Sequence, residues 1–252
     1  MPIRHKYVTV AYDLNRSRVV WVGKGKARST IDQFFNEELS DYQKKRIKWA
    51  CCDMSETFIG AIKDHCPNVK LVLDRFHIAK ALSNAMDEVR KEEWRKVTGE
   101  ERKALKGLRW ILFKHASNRT AEDKRILNMI YASNRRIHRA CVLKDEFDQF
   151  WNYKAEYAAR RFLKNWGTTA LKSRLDPIRK FVSTLRKHTE NIITFVASRL
   201  TNATAEGLNR IICLVKNRAS GFHTVQAFID LIHLTIGDVD IPAQIPKRFR
   251  TI

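Results

Sequence analysis

The chain has 252 residues, 44% of them hydrophobic, which is enough to bury a substantial core and excludes a disordered chain. Its 48 Lys and Arg against 27 Asp and Glu give a formal net charge of +21 at pH 7, a balance typical of proteins that bind nucleic acid. No run approaches the ~18 apolar residues of a membrane span, and residues 1–6 lack the apolar core of a signal peptide. We therefore expect a cytoplasmic protein with no membrane partner.

The cysteine pattern indicates reduced thiols inside the fold. No CxxC spacing occurs, and an odd total leaves no complete set of disulfides. Cys51 and Cys52 lie side by side in a predicted strand, where their side chains point to opposite faces. We expect core residues in a reducing compartment, rather than zinc ligands, for the whole set: Cys51, Cys52, Cys66, Cys141 and Cys213.

The beginning of the chain predicts a β-hairpin followed by a helix. Residues 7–12 and 18–22 are β-branched and aromatic runs separated by turn residues. Residues 28–39 carry apolar side chains at helical spacing. Asp13 lies in the turn, where Asp commonly accepts local hydrogen bonds, and we interpret it as a turn residue.

Two further predicted strands each end in an aspartate. A strand over 47–52 is followed by Asp53 and a helix to about residue 65. A strand over 69–73 is followed by Asp74. Since strands joined by helices form parallel crossovers, the element order predicts an α/β fold with a mixed sheet.

From Phe76 onward the strand patterns disappear and amphipathic helices follow. The polar faces of these helices are rich in Lys and Arg. Most basic helix faces in proteins are merely solvated, but the large excess of positive charge in this chain favours a DNA-facing surface for some of them. The aromatic residues at helical spacing predict a core, with one or two free to stack on an unpaired base: Phe147, Phe150, Trp151, Phe162 and Trp166. The predicted helical windows are 76 to beyond 94, 101–116, 120–133, 134–143, 145–165 and 168–198, the last with a new start at Asp176.

A helix that opens near Asn202 separates an apolar face from a polar one. We expect the apolar face to pack on the sheet: Leu208, Ile211, Ile212 and Val215. The polar face carries Glu206, Arg210, Cys213 and Asn217. A last helix is predicted over 224–237, followed by an irregular basic tail over 238–252.

Carboxylates at strand ends in a strongly basic α/β protein suggest metal-dependent phosphodiester chemistry. Attack on a DNA phosphate needs an activated water or hydroxyl and a stabilised leaving oxygen, which two divalent ions about 3.5–4 Å apart can supply. Asp and Glu oxygens are suitable ligands for Mg²⁺ or Mn²⁺. Asp53 and Glu206 are the candidate ligands. If they lie close together, a metal ion between them is expected, because neighbouring carboxylates otherwise repel one another.

Three short motifs occur in a fixed order along the chain: Asp53-Met54-Ser55, Asp74-Arg75-Phe76-His77, and Asn202…Glu206-Gly207-x-Asn209 followed by Arg218-x-x-Gly221-Phe222. In these motifs the chain resembles the DDE transposases of the ISL-three group of bacterial insertion sequences, from about residue 7 to residue 237. The resemblance implies a ribonuclease-H-like core with a large all-helical insertion, helix-rich overall. It also implies DNA cleavage at insertion-sequence ends and strand transfer, with Mg²⁺ or Mn²⁺ as cofactor.

The resemblance further implies the partners and the domain boundaries. Double-stranded DNA, as transposon ends and target, is the expected partner, in the nucleoid, and assembly as a homo-oligomer on DNA stays open. Residues 1–98 would form the first part of the catalytic core and 99–198 the helical insertion. Residues 199–237 would return to the core, and 238–252 would form the tail.

Roles carry over residue by residue. Asp53 matches the second catalytic carboxylate of the family and Glu206 the third, and both would bind metal. Asp74, His77 and Asn209 match supporting positions. Arg75, Arg210, Lys216 and Arg218 are the expected DNA contacts. The chain departs from the family at Thr201, where Ser is usual, and at Cys213, where the usual Lys would contact a phosphate.

The first catalytic carboxylate of the family has no match in this chain. In the family it lies on an opening strand ahead of the segment matching His5-x-Tyr7, so we expect a truncated catalytic domain whose sheet lacks its first strand. Two functions stay open: an active transposase, and a catalytically dead remnant that binds DNA. A ribonuclease-H-like junction resolvase is disfavoured by the long insertion and the Glu-Gly-x-Asn motif.

Each candidate acid also has a purely structural interpretation. Asp53 and Asp74 could serve as helix N-caps, and Glu206 could be an acid favoured in a first helical turn by the helix dipole. The family pattern favours the metal role for Asp53 and Glu206, whereas Asp74 stays open. His77 is interpreted as an orienting or packing residue.

Overall fold

A computed structural model gives the structure of residues 7–200, 203–219 and 221–237. It is a helix-rich α/β protein, as predicted. The elements run, in chain order, β1 (Val8–Asp13), β2 (Arg18–Lys24), α1 (Arg28–Glu37), α2 (Asp41–Arg46), β3 (Trp49–Cys52), α3 (Glu56–His65), β4 (Lys70–Leu73), α4 (Arg75–Trp94), α5 (Gly99–Phe113), α6 (Ala121–Ser133), α7 (Arg135–Asp148), α8 (Glu156–Lys172), α9 (Asp176–Lys187), α10 (Thr189–Ser198), α11 (Ala203–Arg218) and α12 (Val225–Ile236).

The chain divides into two compact units. The first comprises Met1–Lys48, Ser55–Val69 and Thr201–Ile252. The second comprises Trp49–Met54 and Lys70–Leu200. Each unit therefore combines segments that are distant in sequence, which requires tertiary contacts to hold them.

The first unit contains the predicted β-hairpin. β1 pairs antiparallel with β2. Asp13 Oδ1 accepts hydrogen bonds from the backbone N–H groups of Asn15 and Arg16, at 3.0 and 3.1 Å. These contacts confirm Asp13 as a turn residue, in the role that Asp commonly takes between two strands.

Helix α2 of the first unit was missed by the sequence interpretation. Ser40 and Gln43 form a capping box in which Ser40 Oγ accepts from the Gln43 N–H and Gln43 Oε1 accepts from the Ser40 N–H. The basic run Lys44-Lys45-Arg46 is its last turn, where the helix dipole favours cations. The Ser-x-x-Gln spacing was the available signal.

The apolar face of α11 packs on the hairpin, as predicted. One buried cluster joins β2, α11 and α12 through Val19, Val22, Ile212, Ile229 and Ile232. Burial of such side chains stabilises the unit by about 1.5–3 kcal/mol each.

One residue of that predicted face is exposed. The buried stripe of α11 contains Ala205, Leu208 and Ile212, spaced by three and four residues. Ile211 is 37% exposed. It directly precedes Ile212, and successive helical residues are about 100° apart, so Ile211 lies beside this narrow buried stripe rather than in it.

The second unit contains a parallel strand pair. β3 and β4 align so that Cys52 lies opposite Leu73. The described strands thus form one antiparallel pair and one parallel pair. No described strand joins the two pairs, so the expectation of a single mixed sheet is wrong for this part of the chain. An isolated parallel bridge joins Val19 of β2 to Gly237.

The predicted aromatic core lies in the helical part of the second unit. Phe147, Phe150, Trp151 and Trp166 are buried, and Trp166 Nε1 donates a 2.9 Å hydrogen bond to the Leu143 carbonyl. The rings of Phe147 and Trp166 meet at 4.8 Å in an edge-on arrangement.

The predicted helix over 145–165 is wrong. α7 continues to Asp148, a 3-10 helix spans Gln149–Asn152, and α8 then runs from Glu156 to Lys172. Phe150 and Trp151 are buried within the 3-10 turn. The apolar spacing therefore continues through the break, and periodicity alone cannot locate it.

The predicted core position is confirmed for three of the five cysteines and is wrong for Cys213. All five thiols are free, Cys52, Cys66 and Cys141 are buried, and Cys51 is partly buried. Cys213 is exposed, because it lies on the polar face of α11 rather than in the core.

Two predictions lie outside the described residues: the helix start at 201–202 and the basic tail over 238–252. Among the helices that the structure describes, none combines the length and the hydropathy of a membrane span.

Candidate active site

The two strand-end aspartates of the second unit leave the parallel sheet at the same edge. β3 and β4 run in the same direction, and the backbone N–H of Asp74 donates a 3.0 Å hydrogen bond to the Cys52 carbonyl. Asp53 directly follows Cys52 in the chain. The sheet register therefore brings the backbones of Asp53 and Asp74 together.

Asp74 is a buried carboxylate that capping explains only in part. It is 5% exposed, and its Oδ1 accepts a 3.0 Å hydrogen bond from the backbone N–H of Phe76, which caps α4. Its Oδ2 is buried and accepts no hydrogen bond in the described part of the chain. His77 Nε2 lies 3.7 Å from that oxygen. A buried oxygen without a hydrogen bond costs free energy unless another group binds it.

Asp53 does not occupy the helix-capping position. The N-cap of α3 is Ser55, two residues further along the chain. Asp53 itself is partly buried. The N-cap position is therefore held by Ser55 in α3 and by Asp74 in α4.

The thiols beside these aspartates are neutral at physiological pH. Burial raises the pKa of Cys51 to about 12, and the Asp74 charge adds to the effect. Burial likewise raises the pKa of Cys52 to about 12, with contributions from Asp53 and Cys51. Because a thiol binds metal as its thiolate, the carboxylates are the better cation ligands at this edge.

Exposed side chains flank Asp74 at the start of α4. The guanidinium of Arg75 lies 5.2 Å from the ring centroid of Trp151, within cation–π range. Phe76 is 54% exposed, and its ring meets that of His77 edge-on at 5.7 Å. Arg75 is exposed and can reach an anion.

Glu206 belongs to the first unit, in the first turn of α11. It lines an open groove of about 570 Å³ on the polar face of that helix. The groove includes the predicted polar residues together with two others: Glu206, Asn209, Arg210, Cys213, Leu214 and Asn217. The helical spacing thus predicted that four of these residues share one face of α11.

A tyrosine that sequence analysis did not select holds Asn209. The Tyr12 hydroxyl donates a 2.6 Å hydrogen bond to Asn209 Oδ1. Burial raises the pKa of Tyr12 to about 12, with a smaller contribution from Cys213, so the phenol remains a donor at physiological pH. With its oxygen occupied, the Asn209 side chain presents its amide nitrogen as a donor.

Lys216 and Arg218 lie in the last turn of α11 and are exposed. The groove lining does not include them. Cations in a last turn are favoured by the helix dipole, which is a sufficient structural reason for both.

The candidate residues fall into two groups. Asp53, Asp74 and His77 belong to the second unit, whereas Glu206 and Asn209 belong to the first. Within the residues that the structure describes, no cluster of three or more His, Cys, Asp or Glu side chains is arranged to hold a metal ion.

Known proteins resemble this chain over most of its length. A transposase family model, that of the ISL-three DDE group, matches residues 2–232. The transposase for insertion sequence element IS1001 of Bordetella parapertussis is 28% identical over 227 residues, which are 89% of this chain and 56% of the relative. The transposase for insertion sequence element IS1557 of Mycobacterium tuberculosis (strain H37Rv) is 25% identical over 255 residues, covering 92% and 57%. The chain thus spans somewhat more than half the length of these relatives, and no solved structure matches it.

Proposed function

This chain belongs to the ISL-three group of DDE transposases, and we propose that it cleaves DNA at the ends of an insertion sequence and transfers the cut strands to target DNA. The net charge of +21 supports double-stranded DNA as the substrate. We also propose a ribonuclease-H-like core divided between 1–98 and 199–237, with 99–198 as its helical insertion.

We propose that Asp53 and Glu206 are the metal-binding carboxylates, with Asp74 in support. The observation that carries this proposal is the buried Asp74 Oδ2, which accepts no hydrogen bond at the sheet edge where Asp53 begins. Carboxylate oxygens suit Mg²⁺ or Mn²⁺. When bound, such an ion activates the attacking oxygen and stabilises the leaving one.

The other site residues would position these carboxylates and the DNA. His77, 3.7 Å from Asp74 Oδ2, would orient that carboxylate. The Asn209 amide nitrogen, presented by Tyr12, would donate to a phosphate oxygen. The exposed cations would neutralise DNA phosphates: Arg75, Arg210, Lys216 and Arg218.

Nicking of labelled duplex DNA that carries the terminal sequences of the element tests the proposal. With Mn²⁺ or Mg²⁺, we expect strand cuts at the element ends. Loss of a residue that only supports a metal ligand lowers activity by up to about 100-fold. Asp53→Asn and Glu206→Gln, which each remove a proposed ligand, should reduce the rate of cutting by more than that.

Asp13→Asn is the matched control for these variants. It also removes one carboxylate, but Asn can keep the turn hydrogen bonds that Asp13 accepts from Asn15 and Arg16. Its nicking rate should equal that of the wild type. Cutting that survives Asp53→Asn would refute the site, and DNA binding without cutting by the wild type would favour the binding-only alternative.

A further inference from the structure

A second groove in the first unit carries two lysines and a histidine. It has a volume of about 1020 Å³ and lies where the loop leaving β2 meets the start of α12. Its lining contains Lys24 at the end of β2, Lys26 on the loop, and His223 and Gln226 at the start of α12. Among the described residues, the lining includes no Asp or Glu and shares no residue with the Glu206 groove.

Three hydrogen bonds hold the backbone from the end of β2 into the loop that carries Lys26. The Gly25 N–H donates to the Tyr7 carbonyl at 2.8 Å, and the Thr9 hydroxyl donates to the Gly25 carbonyl at 2.8 Å. The Thr30 hydroxyl donates to the Lys24 carbonyl at 3.0 Å. Gly25 has a φ of 104°, a conformation that side-chain-bearing residues rarely adopt. A loop fixed in this way loses little entropy when it binds a ligand.

The lysine charges are available to an anion. The Lys26 ammonium lies 4.2 Å from the ring centroid of Tyr7, which is itself 54% exposed. Both lysines are exposed, and neither forms an ion pair with a carboxylate in the described residues. The cation–π contact orients Lys26 without neutralising it.

We propose that this groove binds the phosphate backbone of DNA, as a contact additional to the Glu206 groove. Lysine is a point charge on a flexible stem, which suits backbone phosphates rather than base edges. The open groove accommodates a strand rather than enclosing a small anion. His223 and Gln226, on the other wall, add polar side chains that can bond to sugar or phosphate oxygens. This inference rests on the proposed function, because it assigns a further DNA contact to a transposase.

The salt dependence of DNA binding tests the groove directly. Binding of a fluorescent duplex is measured by anisotropy in EDTA between about 50 and 200 mM salt. For Lys24→Ala/Lys26→Ala we expect the slope of log K against log salt to fall in magnitude by about 1.8, that is 0.9 for each lost phosphate contact. The control, Lys45→Ala/Lys48→Ala, removes two exposed lysines of the same unit that do not line the groove, and should keep the slope.

Gly25→Ala provides a second test that keeps both charges. At a φ of 104°, alanine is strained, and its Cβ would lie 3.2 Å from Thr30 Oγ1, so the loop must shift. We expect weaker binding at unchanged net charge. The proposal would be overturned if the two double variants gave equal slopes, or if Lys24→Ala/Lys26→Ala kept the wild-type slope.

The same measurement separates this proposal from the catalytic one. In EDTA no metal-dependent cutting occurs, so the anisotropy reports DNA binding separately from catalysis. If Lys24→Ala/Lys26→Ala keeps the wild-type salt slope while the wild-type protein nicks DNA, only the groove proposal is refuted. If the slope falls as expected but the wild-type protein does not nick DNA, only the catalytic proposal is refuted. Wild-type protein that does not bind DNA refutes both.

Discussion

The phenol of Tyr12 in β1 donates a 2.6 Å hydrogen bond to the side-chain oxygen of Asn209 in α11. This hydrogen bond links the hairpin to α11, the helix that carries Glu206. It also decides which end of the Asn209 amide faces outward. Tyr12 is therefore a positioning residue for the polar face of α11.

We predict that Tyr12→Phe weakens DNA binding through Asn209. Loss of the hydrogen bond should cost about 1 kcal/mol of stability, and the freed amide should lose its orientation. A double-mutant cycle with Asn209→Ala, measured by DNA anisotropy, should give strongly non-additive losses, because Tyr12 has nothing to orient once Asn209 is gone. Additive losses would show that Tyr12 acts independently.

The sequence could predict the face of α11 but not this contact. Helical periodicity places Glu206, Arg210 and Cys213 together, since the rule depends only on local spacing. Tyr12 and Asn209 are 197 positions apart, and no local pattern links a strand residue to a helix residue at that separation. Their meeting follows from the packing of β2 on α11, which is a tertiary event.

We predict that Cys213 reacts first with a maleimide at about pH 7.5. It is exposed in the Glu206 groove, whereas burial raises the pKa of the Cys51, Cys52 and Cys141 thiols. Peptide mapping after brief labelling should find the label at residue 213. Added duplex DNA should slow this labelling if the groove faces DNA, and an unchanged rate would contradict that role.

We predict that stability falls as pH rises above about 8.5, because of the strand thiols. An unfolded cysteine titrates near about 8.5, whereas burial raises the folded pKa of Cys51 and Cys52 to about 12. Below about 8.5 both states keep the proton and the stabilisation is fully present. Above it the unfolded state releases protons first, so each thiol removes up to about 1.4 kcal/mol per pH unit until the folded pKa is passed.

Urea unfolding at about pH 8 and about pH 10 measures this effect. Cys51→Ala/Cys52→Ala should lose less stability between the two pH values than the wild type, whatever its starting stability. Equal losses in both proteins would contradict the proposed origin.

We predict that Asp74→Asn and Asp74→Ala differ in stability but agree in function. Asn can cap α4 as Asp74 does, whereas Ala cannot, so the Ala variant should lose about 1 kcal/mol more. Both variants lack the charge that we propose supports the metal, and both should nick DNA slowly. Thermal unfolding and the nicking assay check the two halves, and wild-type nicking by Asp74→Asn would limit Asp74 to capping.

The strand-end aspartates show how far sequence reasoning reaches. The patterns predicted two strands that end at Asp53 and Asp74 and are joined by a helix, and the parallel register of β3 and β4 confirms this pairing. The pattern could not tell which aspartate caps a helix, because either side chain suits an N-cap by type. Backbone geometry decides it: Asp74 is the N-cap of α4, and Ser55 takes that position in α3.

Iron-directed cleavage of the polypeptide tests whether Asp53 and Glu206 bind one metal ion, as we propose. Fe²⁺ takes the metal position, and hydroxyl radicals formed with ascorbate and peroxide cut the nearby backbone. We expect cuts beside residues 53 and 206 that excess Mg²⁺ suppresses and that Asp53→Asn abolishes together. A cut at one position alone, or a cut beside residue 206 that survives Asp53→Asn, would contradict it.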